Sequence, residues 1–346
     1  MPVNVFGIPS RLEAQYTTNV AVGKAFQDNK VKVDLLRDPK KSDVESLDWT
    51  CNGEKILVCS RDGFLKMWRS DRLMEERVWA GAWTSVEAHA SDSNLFAAVS
   101  WDGKLKIVDI RSPQGVSGPD IDLKKSQSNG DKCDKLLNVT WRLDGKSLAI
   151  ISRSDFIHSY NITDGSIESL QPGCEVYGAV FDSNNRLWVA AGGTPGKIQV
   201  YPHIDSETAP VMDLVAHSHV TACITRSRDH KYIVSGGSDA LVALWDSQSA
   251  ACLRTFPSSL APVTCVSTNF DNTLIAWGSG AIGNRDGESV LSLAGLETGI
   301  HCYSYQVGAP VSRVKWHPTA NILAFSMQQS PSADSNVNIL SFPSSD

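Results

Sequence analysis

The stretch Ser235–Asp246, with the sequence SGGSDALVALWD, constrains the fold of this chain more than any other. A strand-forming run from Tyr232 to Val234 leads into turn-forming residues between Gly236 and Asp239. A second, wholly apolar run from Leu241 to Leu244 follows and ends in the pair Trp245–Asp246. Because both runs are short and a tight turn joins them, the stretch predicts two adjacent antiparallel strands of an all-β unit.

The same order of strand, turn, strand, turn and strand occurs seven times along the chain. The positions equivalent to Trp245 are 40 to 52 residues apart, and they are Trp68, Val108, Tyr160, Tyr201, Trp245, Ala294 and Leu340. Repeats of about 40–45 residues that end in Trp-Asp are typical of the WD repeat, which forms the blades of a β-propeller. We therefore expect an all-β, seven-bladed WD-repeat propeller.

The repeats predict one propeller domain over residues 31–343, preceded by a partly ordered N-terminal arm, residues 1–30. Each repeat supplies three clear strands, so the last blade lacks a fourth. The alternating run from Val31 to Leu35 is expected to supply it and to close the ring, which protects the sheet edges. The predicted blades cover residues 44–72, 83–112, 136–165, 176–205, 217–248, 262–299 and 310–343, the last with strand 31–36.

A buried polar network is expected in the fifth blade, the only one that keeps every polar position of the repeat. Trp245 can donate to Ser235, Ser235 to His217, and His217 to Asp239. Buried polar groups require such partners. We expect these four side chains to stabilise the blade.

Three long insertions are expected on one face of the propeller, since loops between second and third strands share a face with the connections between blades. Insertions in surface loops carry function more often than the scaffold does. Nine of their residues are candidate partner contacts: Lys124, Lys125, Lys132, Lys135, Gly280, Asn284, Arg285, Gln328 and Gln329. The four lysines fit either a solvated loop or a contact to RNA or an acidic partner.

The charge of the chain argues against two classes of partner. It has 32 basic and 38 acidic residues, a net charge of −6 and a pI near 5.8. Strong autonomous binding of nucleic acid, or of an anionic membrane surface, needs concentrated positive charge. With no apolar run of about 18 residues, we expect no membrane span and an intracellular protein.

No arrangement of residues predicts catalysis, a metal or a cofactor. The run from Gly192 to Lys197 lacks the spacing of a phosphate-binding loop, and His217 and His219 lack a third metal ligand. Three tryptophans end the first strands of their blades, and we expect their rings to pack between blades rather than to stack on bases: Trp49, Trp141 and Trp316. The chain is expected to act by binding, not as an enzyme.

One segment suggests an alternative function. Val108–Arg111 resembles the W-D-x-R box of substrate receptors in cullin-type ubiquitin ligases, although the Trp is absent. Mutation of Arg111 would separate this alternative from other scaffold functions.

Several segments resemble the WD-repeat subunit of the THO complex, the THO complex subunit 3 family. The similarity is strongest in blades five to seven, and its segments are Gly237–Asp246, Cys252–Phe256, Ala294–Gly299, Val314–Pro318 and Leu323–Phe325. It extends over roughly residues 31–342. The chain departs from the family in a longer loop at 278–287 and in the weak His positions of blades one and two.

The resemblance implies a nuclear, non-catalytic scaffold subunit in mRNA ribonucleoprotein assembly and mRNA export. It implies docking on the large helical scaffold subunits of THO, which cooperate with a DEAD-box RNA helicase and an RNA-binding export adaptor. Contact with RNA is expected to be weak or to occur through the complex.

Overall fold

The described part of the chain forms 28 strands arranged in seven four-stranded antiparallel sheets. The computed structural model describes residue 23 and residues 31–36, 38, 42–112, 121–122, 135–205, 208–258, 261–280, 289–328 and 337–342. Each sheet is one blade of a propeller, so the predicted all-β, seven-bladed fold is confirmed. In each blade the strands follow chain order from the inner to the outer strand, apart from the blade that closes the ring.

The first four blades contain strands β2 to β17. Blade one consists of β2 (Val44–Trp49), β3 (Lys55–Ser60), β4 (Phe64–Arg69) and β5 (Met74–Ala80). Blade two consists of β6 (Trp83–Ala88), β7 (Leu95–Ser100), β8 (Lys104–Asp109) and β9 (Ile121–Asp122). Blade three consists of β10 (Leu136–Trp141), β11 (Ser147–Ser152), β12 (Ile157–Asn161) and β13 (Ile167–Leu170). Blade four consists of β14 (Val176–Phe181), β15 (Leu187–Ala191), β16 (Gly196–Tyr201) and β17 (Met212–His217).

The last three blades contain the remaining strands. Blade five consists of β18 (Thr221–Arg226), β19 (Tyr232–Gly237), β20 (Leu241–Asp246) and β21 (Cys252–Pro257). Blade six consists of β22 (Val263–Thr268), β23 (Leu274–Ser279), β24 (Val290–Gly295) and β25 (His301–Gln306). Blade seven consists of β26 (Val311–Trp316), β27 (Ile322–Met327), β28 (Val337–Ser341) and β1 (Lys32–Leu36).

The N-terminal strand closes the ring, as predicted. Strand β1 is the outer strand of blade seven and pairs antiparallel with β28, with Lys32 opposite Ser341 and Leu36 opposite Val337. Because the two ends of the chain share one sheet, the last blade is complete and its edge is covered.

The outer strands extend beyond the predicted blade limits. In blade one, β5 lies past residue 72, and in blade five, β21 lies past residue 248. Both strands expose most of their side chains, so neither shows the alternation of apolar and polar residues that marks a half-buried strand. In each blade most side chains of the three inner strands are buried, and their pattern is visible in the sequence.

The hydrophobic core lies between neighbouring blades. Val234 and Leu244 of blade five pack in one buried cluster with Val263, Ile275 and Trp277 of blade six. All seven inner strands also have a register shift after their first residue, as between Val44 and Ser46, which bends each strand at the same level. No helix in the described residues is long and apolar enough to cross a membrane.

Candidate interaction surfaces and the buried polar clusters

The four side chains predicted to form a network in blade five lie in contact. The Trp245 Nε1–H donates to Ser235 Oγ at 3.0 Å, and Ser235 Oγ lies 2.8 Å from His217 Nε2. His217 Nδ1 lies 3.0 Å from Asp239 Oδ1. His217 comes from the end of the outer strand of blade four, so the network also joins two blades.

Burial fixes the protonation state of this network. The His217 side chain is fully buried, and burial lowers its pKa, while the Asp239 carboxylate acts in the opposite direction. The imidazole is therefore neutral near pH 7. A neutral ring that accepts from the Ser235 hydroxyl at Nε2 donates from Nδ1–H to Asp239, so every member of the network has a partner.

Gly237 allows the close approach of these side chains. A Cβ at residue 237 would lie 2.4 Å from both His217 Nδ1 and Asp239 Oδ1. Any side chain there would displace the imidazole or the carboxylate, so the Gly-Gly pair of the repeat is a packing requirement as well as a turn signal.

Sequence reasoning missed a second position of the repeat that is mostly polar. It lies two residues before the Trp-equivalent position of each blade, and its residues are Lys66, Lys106, His158, Gln199, Ala243, Ser292 and Asn338. Six of the seven are polar; Lys106 and Gln199 are half-buried, and the others are buried. The exception is Ala243, which lies directly opposite Ser235, the residue whose Oγ contacts His217 Nε2. An alignment of the seven third strands would have shown this pattern.

The most highly charged of these clusters is in blade one. The Lys66 side chain is 6% exposed, its Nζ contacts Asp38 Oδ2, and it lies 3.6 Å from Asp62 Oδ2. Asp62 occupies the turn position that Asp239 has in blade five. Asp38 follows the closing strand β1, so this ion cluster connects the closure of the ring to blade one.

The tryptophans that end the inner strands pack between blades, as predicted. Trp49, Trp141 and Trp316 are at most 5% exposed. The Trp49 Nε1–H donates to the Lys315 carbonyl at 3.2 Å, and the Trp141 Nε1–H donates to the Glu87 carbonyl at 3.0 Å. Each of these two bonds connects the inner strand of one blade to that of its neighbour.

Charged side chains also connect the inner strands of neighbouring blades. Lys315 Nζ lies 3.3 Å from Asp48 Oδ1, and this carboxylate is the main cause of the raised pKa of Lys315. Burial raises the pKa of Glu87, whose carboxylate accepts from the Trp141 backbone N–H at 2.9 Å. Arg226 Nη1 donates at 3.4 Å to two backbone carbonyls. One belongs to Trp141, and the other belongs to Phe181 at the end of blade four's inner strand. These groups all have structural partners.

Three of the nine candidate loop contacts lie in the described residues. Lys135 is exposed. Gly280 is buried, and a Cβ there would lie 2.6 Å from Pro310, so this candidate was wrong as an exposed contact because the chain packs against the next inter-blade connection. Gln328 is half-buried, and its backbone N–H donates to the Pro310 carbonyl. The other six lie outside the described residues: Lys124, Lys125, Lys132, Asn284, Arg285 and Gln329.

Arg111, on which the ubiquitin-ligase alternative depends, is held by two carboxylates. Its Nε donates to Asp109 Oδ1 at 2.9 Å, and its Nη2 donates to Asp92 Oδ2 at 3.2 Å. These contacts neutralise the guanidinium on the surface.

No group of three or more metal-ligating side chains converges in the described residues. The contacts of the polar side chains described above are those of a scaffold, in which each group stabilises a turn, a blade or the junction between two blades.

Comparison with known proteins agrees with this architecture. The family model "WD domain, G-beta repeat" matches residues 28–69 and 208–246. Each match begins shortly before an outer strand and continues through the three inner strands of the next blade. The chain is a WD40-repeat protein with a seven-bladed propeller.

The similarity to individual proteins is lower than 30% identity in the examples that follow. THO complex subunit 3 of Arabidopsis thaliana is 26% identical over 300 residues, which cover 82% of this chain and 86% of the relative. WD repeat-containing protein AAC3 of Dictyostelium discoideum is 24% identical over 323 residues, covering 84% of this chain and 63% of the relative. The β-propeller domain of Myceliophteria thermophila Cps50 (Swd1) superimposes with a TM-score of 0.72 at 12% identity, covering 90% of this chain and all of that domain.

Proposed function

We propose that this protein is a non-catalytic scaffold subunit of the THO complex. In this role it acts in mRNA ribonucleoprotein assembly and mRNA export in the nucleus. Its direct partners are the large helical scaffold subunits of the complex, and a DEAD-box RNA helicase and an export adaptor associate indirectly.

The observation that carries the proposal is the extent of the similarity to THO complex subunit 3. It covers 82% of this chain and 86% of that relative, so it spans most of the propeller rather than one repeat. THO complex subunit 3 is also matched over most of its own length, whereas the match to AAC3 covers 63% of that relative.

The structure supports a binding role over a catalytic one. Within the described residues, the strongly buried polar groups of blades one and five are engaged in clusters that hold strands together. A closed ring joined by inner-strand hydrogen bonds is a rigid platform, and its connecting loops are free to differ between proteins.

Affinity purification of the tagged protein from nuclear extract, followed by mass spectrometry, tests the proposal. We expect the large THO subunits to co-purify in amounts comparable to the tagged chain. Recovery of cullin-ligase adaptors without THO subunits would contradict it.

Arg111→Ala provides the matched control. Because its guanidinium is held by Asp109 and Asp92, we expect the variant to retain the THO subunits. Loss of an adaptor protein from the Arg111→Ala purification would instead favour the substrate-receptor alternative.

A further inference from the structure

Three residues from blades two and three form a basic and aromatic patch on one face of the propeller. Trp101 lies in the turn between β7 and β8, Arg153 lies in the turn between β11 and β12, and Lys135 precedes β10. Loops between second and third strands and connections between blades lie on the same face, which we call the upper face. We refer to Trp101, Lys135 and Arg153 as the Trp101 patch.

The members of the patch are in direct contact. Lys135 Nζ lies 4.7 Å from the centroid of the Trp101 ring, which is a cation–π geometry. The Arg153 backbone N–H donates to the Lys135 carbonyl at 2.7 Å, so the two cationic residues are adjacent. Both cationic side chains are exposed, and the indole is partly exposed.

Among the described residues, no carboxylate lies within ion-pairing distance of Lys135 or Arg153. The acidic side chains nearby have other partners: Asp102 contacts Ser100 Oγ and lies 3.1 Å from Lys104 Nζ. Asp155 accepts from the backbone N–H of Val176 at 3.3 Å. Arg111, also exposed, is held by Asp109 and Asp92, whereas the described residues place no carboxylate beside Lys135 or Arg153, so the patch retains charge for a partner.

The geometry points to the Trp101 patch as a docking site for an acidic segment of a partner protein, an inference that rests on the proposed role as a scaffold. Charge complementarity supplies the argument: in the described part of the chain Lys135 and Arg153 have no carboxylate partner, and two adjacent cations match two carboxylates of an extended chain. Stacking on the indole holds the Lys135 ammonium in place before the partner arrives, which reduces the ordering cost of binding.

Two observations disfavour RNA as the occupant. Bases bind such surfaces by stacking on an aromatic face, and the Lys135 ammonium lies over the indole face of Trp101. In addition, strong RNA binding depends on neutralising many phosphates with the release of their counterions, and the patch offers only two cations on a chain of net charge −6.

Fluorescence anisotropy with the full-length protein at physiological salt tests the inference. The probe is a labelled peptide of alternating Glu and Ser, with an oligouridylate of the same length measured in parallel. Lys135→Glu and Arg153→Glu are each expected to raise the Kd for the peptide by about tenfold or more, since each replaces an attraction with a repulsion. Trp101→Ala is expected to raise it by about two- to fivefold through loss of the cation–π contact.

Lys146→Glu is the matched control, because this exposed lysine of blade three lies in the turn between β10 and β11, on the opposite face. It changes the net charge equally and should alter the Kd by less than about twofold. Saturable binding that weakens only in the patch variants supports the inference. No saturable binding, equal weakening in all three charge reversals, or tighter binding of the oligouridylate through the same residues would overturn it.

The peptide-binding and co-purification experiments together separate this inference from the proposed function. If the wild-type chain co-purifies with THO subunits but does not bind the peptide, only the docking site is wrong. If it binds the peptide through the patch but retrieves no THO subunits, the proposed complex is wrong and the docking site stands.

Discussion

Blade five and blade one both bury a polar group between their second and third strands, but they use different chemistry. In blade five a neutral imidazole, His217, comes from the preceding blade and occupies the space beside Ala243. In blade one the third strand itself supplies a charged amine, Lys66, which meets Asp38 and Asp62. In both blades the buried group at this level has polar partners, and the comparison teaches that different residue types can fill that role.

The two clusters should differ in how strongly the blade depends on them. Removing one partner of a buried ion pair leaves an uncompensated charge, which costs about 3–5 kcal/mol. Removing one partner of a neutral hydrogen bond leaves an unsatisfied dipole, which costs about 1–3 kcal/mol. The blade-one cluster is also attached to the closing strand, so its effects should extend to the closure of the ring.

The largest effect is expected from deletion of residues 1–36. This removes β1, exposes the backbone edge of β28, and removes the strand that precedes Asp38. An exposed edge pairs with other chains, so we expect aggregation in size-exclusion chromatography. A control deletion of residues 1–22, which retains β1, should remain monomeric. A soluble and equally stable 1–36 deletion would contradict closure by β1.

The next largest effect is expected from Lys66→Met. The variant keeps most of the length of the side chain but removes the ammonium that contacts Asp38 and Asp62, so the free energy of unfolding should fall by about 3–5 kcal/mol. Urea denaturation measures it, with the exposed Lys146→Met as control, for which a change within about 0.5 kcal/mol is expected. Equal effects of the two substitutions would show that the buried charge has no structural role.

A smaller effect is expected from Trp245→Phe. The phenyl ring keeps most of the buried apolar surface but removes the N–H that donates to Ser235 Oγ at 3.0 Å. Loss of that partner should lower the free energy of unfolding by about 1–3 kcal/mol, measured in the same denaturation series. A decrease as large as that of Lys66→Met would remove the difference drawn between the neutral and the charged cluster.

The smallest effect is expected in the pH dependence of stability. Burial lowers the pKa of His217 in the folded protein, whereas an unfolded histidine titrates near about pH 6.5. As the pH falls below that value, the unfolded state takes up protons that the folded state refuses, so stability decreases until the folded pKa is reached. Burial also lowers the pKa values of His230, His301 and His317, which add to the slope.

Two variants assign the contribution of blade five to this slope. His217→Gln should make the decrease in stability from about pH 7 to about pH 5 less steep, because one of the contributing histidines is removed. Lys146→Met should leave the slope in that range unchanged, since it replaces an exposed lysine on another blade. An unaltered slope in His217→Gln would contradict a buried, neutral imidazole.

The sequence was sufficient to predict the seven blades, the closure by β1 and the four members of the blade-five network, because turns and buried inner strands leave clear patterns. It did not reveal Lys66, because a single lysine in an apolar strand is normally taken as facing solvent, and its partner Asp38 is 28 residues away. The outer strands β5 and β21 were also missed, since most of their side chains are exposed and leave no clear periodicity.

The candidate contacts show a different limit. Gly280 was selected because it lies in a long loop, but proximity to Pro310 buries it. Lys135 is exposed as expected, yet its contact with Trp101 joins residues that are 34 positions apart, and only the arrangement of blades brings them together. Loop length predicts where a surface varies, whereas packing decides which loop residues reach it.

The double-mutant cycle of His217→Ala and Asp239→Asn tests most directly whether blade five contains a coupled network. Each single variant should lower the free energy of unfolding by about 1–3 kcal/mol, because it leaves buried partners unsatisfied. The double variant should lose less than the sum by about 0.5 kcal/mol or more, since both substitutions remove the same hydrogen bond between Nδ1 and Oδ1. Effects that simply add would mean that the four side chains are neighbours without a shared network.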